Sequence, residues 1–381
     1  MDSIMKTEPA VFAVGSDYQI MVPVNCQTLM WVKVGDENYY DDSNGIIRSA
    51  VTTHRMTVPA EELNKERRYT VCWRKIIERK PYFSETGEIE SQEFEFFPVE
   101  GDGVTAFHIA DAHNSVDAPV EAALQFKEKI GRLDFLIMNG DIPDHSGDIS
   151  NFDNIYEIAA QITHGNIPVI FSRGNHDTRG IFAENIAEHT PCENGNSYYT
   201  FRLGNIWGIV MDSGEDKSDT NPEYGNTVCC HQFRKRETKY LEKVIKHSAE
   251  EYKADGIKHK LVIVHTPFTW KHQPPFDIEH EIYNKWARLL EDNVRPDVMI
   301  CGHEHDIGIF EPGYCDRIVS GKKISDLHRQ PCPLVLGSMP KGIYSEDEEN
   351  YYAGAGFIFN ANNIEVIFID SKGENLGGEI I

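Results

Sequence analysis

The stretch VIFSRGNHD at residues 169–177 runs from an apolar segment straight into a tight polar motif. Val169 to Ser172 suits a strand buried on both faces, and Gly174-Asn175-His176-Asp177 begins just beyond its end. Open α/β sheets collect ligands outside the carboxyl ends of their strands, so an amide oxygen and an imidazole placed there point to a site. Four further runs repeat the arrangement. Val104 to Ala110 leads into Asp111-Ala112-His113, Phe135 to Met138 into Gly140-Asp141, Leu261 to Val264 into His265, and Val298 to Cys301 into Gly302-His303-Glu304-His305. Helical patterns lie between them: Val120, Ala123, Phe126 and Ile130 behind Asp117 as N-cap, then Phe152, Ile155, Ala159 and Ile162. Hairpin signals at Gly204-Asn205 and Asn362-Asn363 add antiparallel pairs in the later half. The reading is an α/β chain with a two-sheet core flanked by helices.

The five motifs together supply carboxylates, imidazoles and one amide oxygen, with no thiolate. That donor set suits a pair of borderline or hard divalent ions, and Fe, Mn, Zn and Co all accept it. Five strands delivering such residues to one crevice predict a two-metal hydrolase. No Gly-x-Ser-x-Gly elbow offers a covalent serine alternative.

Taken in order, these motifs resemble the calcineurin-like metallophosphoesterase superfamily over residues 104 to 306. The resemblance implies that Asp111, His113, Asp141 and His305 hold one metal and Asp141, Asn175, His265 and His303 a second, with Asp141 bridging. It implies a metal-bridging hydroxide as nucleophile and His176 as the general acid that protonates the leaving oxygen. Asp144 matches the aspartate that orients this histidine in phosphoprotein phosphatases; purple acid phosphatases carry a metal-binding tyrosine there. His145 stands where the former group has a phosphate-binding arginine. Arg179, His145 and Arg234 are the substrate-binding candidates, Arg179 being equally suited to pairing with an acidic neighbour. His108 lies inside a strand and reads as a core histidine; His231, His272 and His280 fall in loops or helix ends.

Before residue 100 the pattern changes. Alternation in Met30-Trp31-Val32-Lys33-Val34, the turn signal Asp42-Ser43-Asn44-Gly45, and the runs Arg68 to Ile77 and Gln92 to Val99 predict short antiparallel strands without an amphipathic helix. The expected organisation is a fibronectin/Ig-like β-sandwich over 1–100 and a catalytic domain over 101–381, with Gly101-Asp102-Gly103 at the boundary. The stretch from His54 through Leu63 to Tyr69 resembles the N-terminal domain of purple acid phosphatases. Its expected role is packing, lending a loop to the cleft rim or to a dimer contact.

A formal net charge of −24 disfavours grip on nucleic acid through the general field, which relies on Lys and Arg neutralising phosphates. The segment His231 to His247 reads as a basic amphipathic helix with a solvated face, its apolar side carried by Phe233, Tyr240, Leu241, Val244 and Ile245. The acidic run Glu346 to Glu349 reads as a solvated loop. Neither a signal-peptide-length apolar stretch nor a run of the ~20 apolar residues a membrane helix needs is evident, and the eight cysteines lack a framework spacing. A cytoplasmic, thiol-reduced enzyme acting on a phosphomonoester or small phosphodiester is expected. Nucleic acid and membrane partners are not. The competing readings are a metal-binding interaction module without turnover and a nuclease of the same superfamily.

Overall fold

The computed structural model describes residues 4–313, 316–319, 322–326, 330–342 and 350–381. The acidic run at 346–349 lies outside the described residues. The five apolar runs form the strands Val104–Ile109, Phe135–Asn139, Pro168–Ser172, His259–Val264 and Val298–Cys301. The first three lie side by side in parallel, and so do the last two, beside Ile206–Met211. Two leaves of sheet result. They are joined through Leu334–Lys341, whose first residues pair with Val298–Cys301 and whose last pair with Tyr351–Phe359.

The period of two along each strand explains the layering, because successive side chains leave on opposite faces. Phe135, Ile137, Ile170, Leu261, Ile263, Val298 and Ile300 fill the space between the leaves. Leu136, Met138, Val169 and Phe171 face the other way, against the helices Asp117–Ile130 and Asp153–Thr163. Val262, Val264, Met299 and Cys301 face the helices Cys230–Lys246 and His280–Leu289. Sheets buried on both faces read as near-continuous apolar runs, as these do. Both hairpin signals hold: Leu203 pairs with Ile206, and Phe359 with Ile364.

Three local expectations are corrected. Asp117 is the first residue of its helix rather than the cap, which is Val116 without a side-chain bond. A helix does occur before residue 100, at Ala60–Glu66; it buries only Leu63, too little for a periodic signal. The helix Cys230–Lys246 turns Cys230, Arg234, Glu237, Thr238, Leu241 and Val244 inward, so two charged residues sit where apolar ones were anticipated.

Hydrogen bonding runs across the expected boundary at Gly101. Ala10–Val14 pairs in parallel with Pro168–Ser172, and Asp17–Pro23 and Thr53–Pro59 extend the same leaf. A second sheet, Glu90–Glu95, Arg68–Glu78, Thr28–Val34 and Glu37–Tyr40, stands apart from this extension. Met30, Val32, Val71 and Trp73 share one core with Ile20, Val22, Met56 and Val58. One layer of the N-terminal sandwich is thus the continued sheet of the rest of the chain.

Candidate metal centre

Each motif starts where its strand ends, and the backbone there bends in a way side chains normally avoid. Asp111, His113, Asp141, His303 and His305 have φ of 52°, 45°, 53°, 71° and 52°. Left-handed non-glycine residues cost about 1–3 kcal/mol each and persist where surrounding structure fixes them. Glycines let these turns meet. A Cβ on Gly140 would lie 2.6 Å from the Gly174 Cα, and one on Gly174 would lie 2.2 Å from the Asp141 Oδ1.

The turns bring three overlapping triads together: Asp111 with His113 and His305, Asp141 with His265 and His303, and, between them, Asp141 with His113 and His176. Within each, the ligand atoms lie within 4.8 Å of one another. Asn175 Oδ1 is 3.0 Å from His303 Nδ1, which adds the amide oxygen to the second group. All seven residues therefore converge. Asp111, Asp141 and His265 are almost wholly buried, whereas 38% of the His305 side chain and 25% of His176 remain exposed, so the site opens on that edge.

Hydrogen bonding leaves lone pairs pointing inward. His265 donates from Nδ1 to the Asn139 carbonyl at 2.7 Å, and its buried Nε2 has no hydrogen-bond partner. That Nε2 faces Asp141 Oδ2 at 3.1 Å and Asp111 Oδ1 at 3.7 Å. His113 directs Nδ1 to the Asp144 carboxylate at 3.2 Å, and its Nε2 lies 3.1 Å from His305 Nε2. Acceptors turned toward one another in a buried space fit cations, and a second partner on the far ring nitrogen is the usual way a metal-binding imidazole is oriented.

The electrostatics tell the same story. Burial works against charge on Asp111 and Asp141, yet the neighbouring imidazoles, His265 foremost, hold both carboxyls well below the usual range. Burial also disfavours an imidazolium at His265, but Asp141 and Asp111 outweigh it and push the group up to about 10. The carboxylates draw positive charge to this point. His303, where burial dominates, falls to about 3, leaving a neutral ring suited to coordination. Asp177 accepts from the Gly174 and Asp141 amides at 2.6 and 3.1 Å; burial and Asp141 raise it to about 7. Asp177 ties two motif turns to each other.

His176 donates from Nδ1 to the Asp144 backbone carbonyl at 2.7 Å, while the Asp144 carboxylate is 3.7 Å away. The expected orienting carboxylate thus serves His113, and the main chain of Asp144 orients His176. On its other side Arg179 Nη1 donates to His176 Nε2 at 3.0 Å. Arg179 is itself held by Glu215, Nε to Oε1 and Nη2 to Oε2, both at 3.1 Å. Glu215, 1% exposed, also accepts from the Thr178 hydroxyl at 2.7 Å. Sequence reading missed Glu215; after the strand Ile206–Met211 it is one acid among Asp212, Glu215 and Asp216, and nothing in the sequence singles it out.

Two substrate candidates fall away from this cluster. Arg234 is fully buried, and its guanidinium is consumed by the carbonyls of Ser213 and Glu215 and by Glu279 at 3.0 Å. It braces the loop that carries Glu215 instead of facing substrate. His145 is exposed and turns Nδ1 back to accept from the Gly147 amide at 3.0 Å. His108 is the core histidine anticipated, between the Gly337 carbonyl and the Asn139 amide, each at 3.1 Å. His231, His272 and His280 pair with Glu279, Glu304 and Asp277.

The sequence matches the model of the calcineurin-like phosphoesterase family over residues 104–306, more than half of the 381 residues. The chain belongs to that family and is a metal-dependent phosphohydrolase. No curated protein matches its sequence. Among solved structures, a purple acid phosphatase from yellow lupin (Lupinus luteus) seeds superposes with a TM-score of 0.59 at 11% identity, over 98% of this chain and 73% of that one. GAP50 of the Plasmodium inner membrane complex gives 0.45 at 15% identity, over 72% of this chain and 87% of that one. The 5'-nucleotidase of Candida albicans gives 0.36 at 11%, over 72% and 54%. The lupin likeness is one of fold, reaching through the N-terminal residues.

Proposed function

We propose that the protein hydrolyses a phosphomonoester or small phosphodiester at a two-metal centre. Asp111, His113, Asp141 and His305 would hold one ion; Asp141, Asn175, His265 and His303 the other. The carrying observation is the buried Nε2 of His265, turned to the carboxylates of Asp141 at 3.1 Å and Asp111 at 3.7 Å where the other proposed ligands adjoin. Fe, Mn, Zn or Co suit this donor set. When bound, such ions acidify a water and neutralise charge on the phosphoryl oxygens.

The chain's own residues supply the rest. His176 stands at the open edge beside His113, ring centroids 4.6 Å apart, where a leaving oxygen can reach it. With Nδ1 committed to the Asp144 carbonyl, Nε2 is the nitrogen available for proton transfer, and a general acid is worth about 10²–10⁴ in rate. Arg179 donates to that same Nε2 and must turn away for His176 to carry a proton there. A phosphate oxygen gives the guanidinium a charged acceptor in exchange, so substrate binding and arming of the acid are coupled.

We place the protein in a reducing, cytoplasmic setting. Seven cysteines among the described residues are free thiols, and no described helix is long and apolar enough to cross a membrane. Residues 1–100 act as a packing module and 101–381 carry every proposed ligand.

The test is hydrolysis of p-nitrophenyl phosphate, bis-p-nitrophenyl phosphate, a phosphopeptide and single-stranded DNA by metal-loaded protein. Preference for either small ester by kcat/KM is expected. Preference for the phosphopeptide or DNA overturns the substrate class, and inactivity on all four with metals bound favours a metal-binding module without turnover.

A further inference from the structure

Beside Arg179 opens a groove of about 550 Å³, walled by Arg179, Gly180, Ile181, Tyr224, Thr227 and Val228. That volume is typical of a small-molecule pocket, roughly 300–1,000 Å³. The groove adjoins the candidate centre through Arg179, which lines it and also bonds His176. By contrast, the cavity on the His303 side of the centre, between Thr266, Phe268 and Trp270, measures about 20 Å³. That is room for about one water.

Both walls are held by hydrogen bonds, one through backbone and the other through side chains. Gly180, at φ 122°, packs so close to the 146–147 loop that a Cβ would lie 2.2 Å from the Gly147 nitrogen. The Ser146 amide donates to the Arg179 carbonyl at 2.6 Å and the Phe182 amide to the Ser146 carbonyl at 2.9 Å. Across the groove the turn Pro222–Tyr224 is capped by Asn221, and the Tyr224 hydroxyl donates to Asp216 at 2.8 Å. A preformed groove loses little of its binding energy to ordering.

Its chemistry selects the occupant. Ile181 is 75% exposed and Val228 and Tyr224 add apolar surface, whereas Glu184 and Glu223 bring carboxylates to the lining. Apolar contacts with acidic neighbours favour an uncharged organic group and repel an anionic one. Resting on the phosphoester reading above, we propose that this groove binds the organic part of the substrate, an uncharged aryl or alkyl group leaving past His176. The phosphoryl group then lies on the Arg179 side of the centre, and the organic group projects along Ile181 and Val228.

The experiment uses the full chain with its metals and two non-hydrolysable probes, methylphosphonate and benzylphosphonate, with affinities read by calorimetry. Methylphosphonate is too short to enter the groove and serves as the reference within each protein. The wild type is expected to prefer benzylphosphonate by about tenfold, the worth of burying a few apolar carbons. Val228→Glu, which puts a charge on the apolar wall, should abolish the preference; Ile181→Ser, which removes apolar surface, should reduce it several-fold. Equal binding of the two probes by the wild type overturns the groove assignment alone, as does a preference unchanged in both variants. Binding of neither probe by metal-loaded protein overturns the phosphoester reading along with it.

Discussion

Glu215 grips one edge of the Arg179 guanidinium with both carboxylate oxygens, Nε and Nη2 donating at 3.1 Å each, and so sets the hydrogen bond that Arg179 makes to His176. Such forked pairing fixes direction as well as charge. Glu215 in turn is anchored by buried Arg234, which explains why a fully buried arginine lies so near the site. Glu215→Gln keeps shape and removes the charge of the clamp. KM for a small phosphoester is expected to rise about tenfold with metal content unchanged, and Arg179→Ala to do the same. The double variant should be no worse than Arg179→Ala alone, since both act through one contact. Additive losses would separate the two residues.

Metal retention distinguishes the shared ligand from an unshared one. Asp141 faces both groups, whereas Asn175 contributes one neutral oxygen beside His303. Elemental analysis of Asp141→Ala is expected to show more metal lost than Asn175→Ala. Full occupancy in the Asp141 variant would remove the bridging assignment.

The strand-end motifs were legible because a buried strand writes itself as an apolar run and its first loop residue carries the chemistry. That pattern brought Asp111, Asp141, Asn175, His265 and His303 into view, while their assignment to particular ions rests on the family resemblance. Charged residues spent inside the protein were not legible. Arg234 and Glu237 look like ordinary helix-surface charges, and only their buried partners, the Ser213 carbonyl accepting from Arg234 and the Asp212 amide donating to Glu237, reveal otherwise. The sharing of a sheet between Ala10–Val14 and Pro168–Ser172 was equally hidden, since parallel pairing across more than 150 residues leaves no local pattern.

Asp144 tests how far the two histidines are separable. Its carboxylate lies 3.2 Å from His113 Nδ1 and 3.7 Å from His176 Nδ1, whose closer partner is the Asp144 carbonyl at 2.7 Å. Asp144→Asn is therefore expected to weaken metal affinity about 10–100-fold, the usual cost of losing a partner behind a ligand, without changing leaving-group dependence. Metal titration checks the first outcome. A changed leaving-group dependence would return the carboxylate to His176.

His176→Ala should keep both metals and the fold while lowering turnover by roughly 10²–10⁴. Esters of acidic phenols need little protonation and are expected to lose least. A rate loss independent of leaving-group pKa, measured across substituted phenyl phosphates, would exclude His176 as the acid.

His108 is expected to make the fold sensitive to acid. Burial lowers it to about 4 from an unperturbed value near 6.5, with the Gly337 carbonyl and Asn139 amide holding the neutral ring. Between those values the unfolded chain binds a proton that the folded chain does not, so stability falls as pH drops from about 6.5 toward 4. The contribution amounts to at most roughly 3 kcal/mol. His108→Gln is expected to unfold at lower temperature at pH 7, having lost fitted hydrogen bonds, yet to show a shallower decline of Tm across that window. Thermal unfolding of both proteins at half-unit intervals checks this, and parallel Tm profiles would assign the acid sensitivity to other groups.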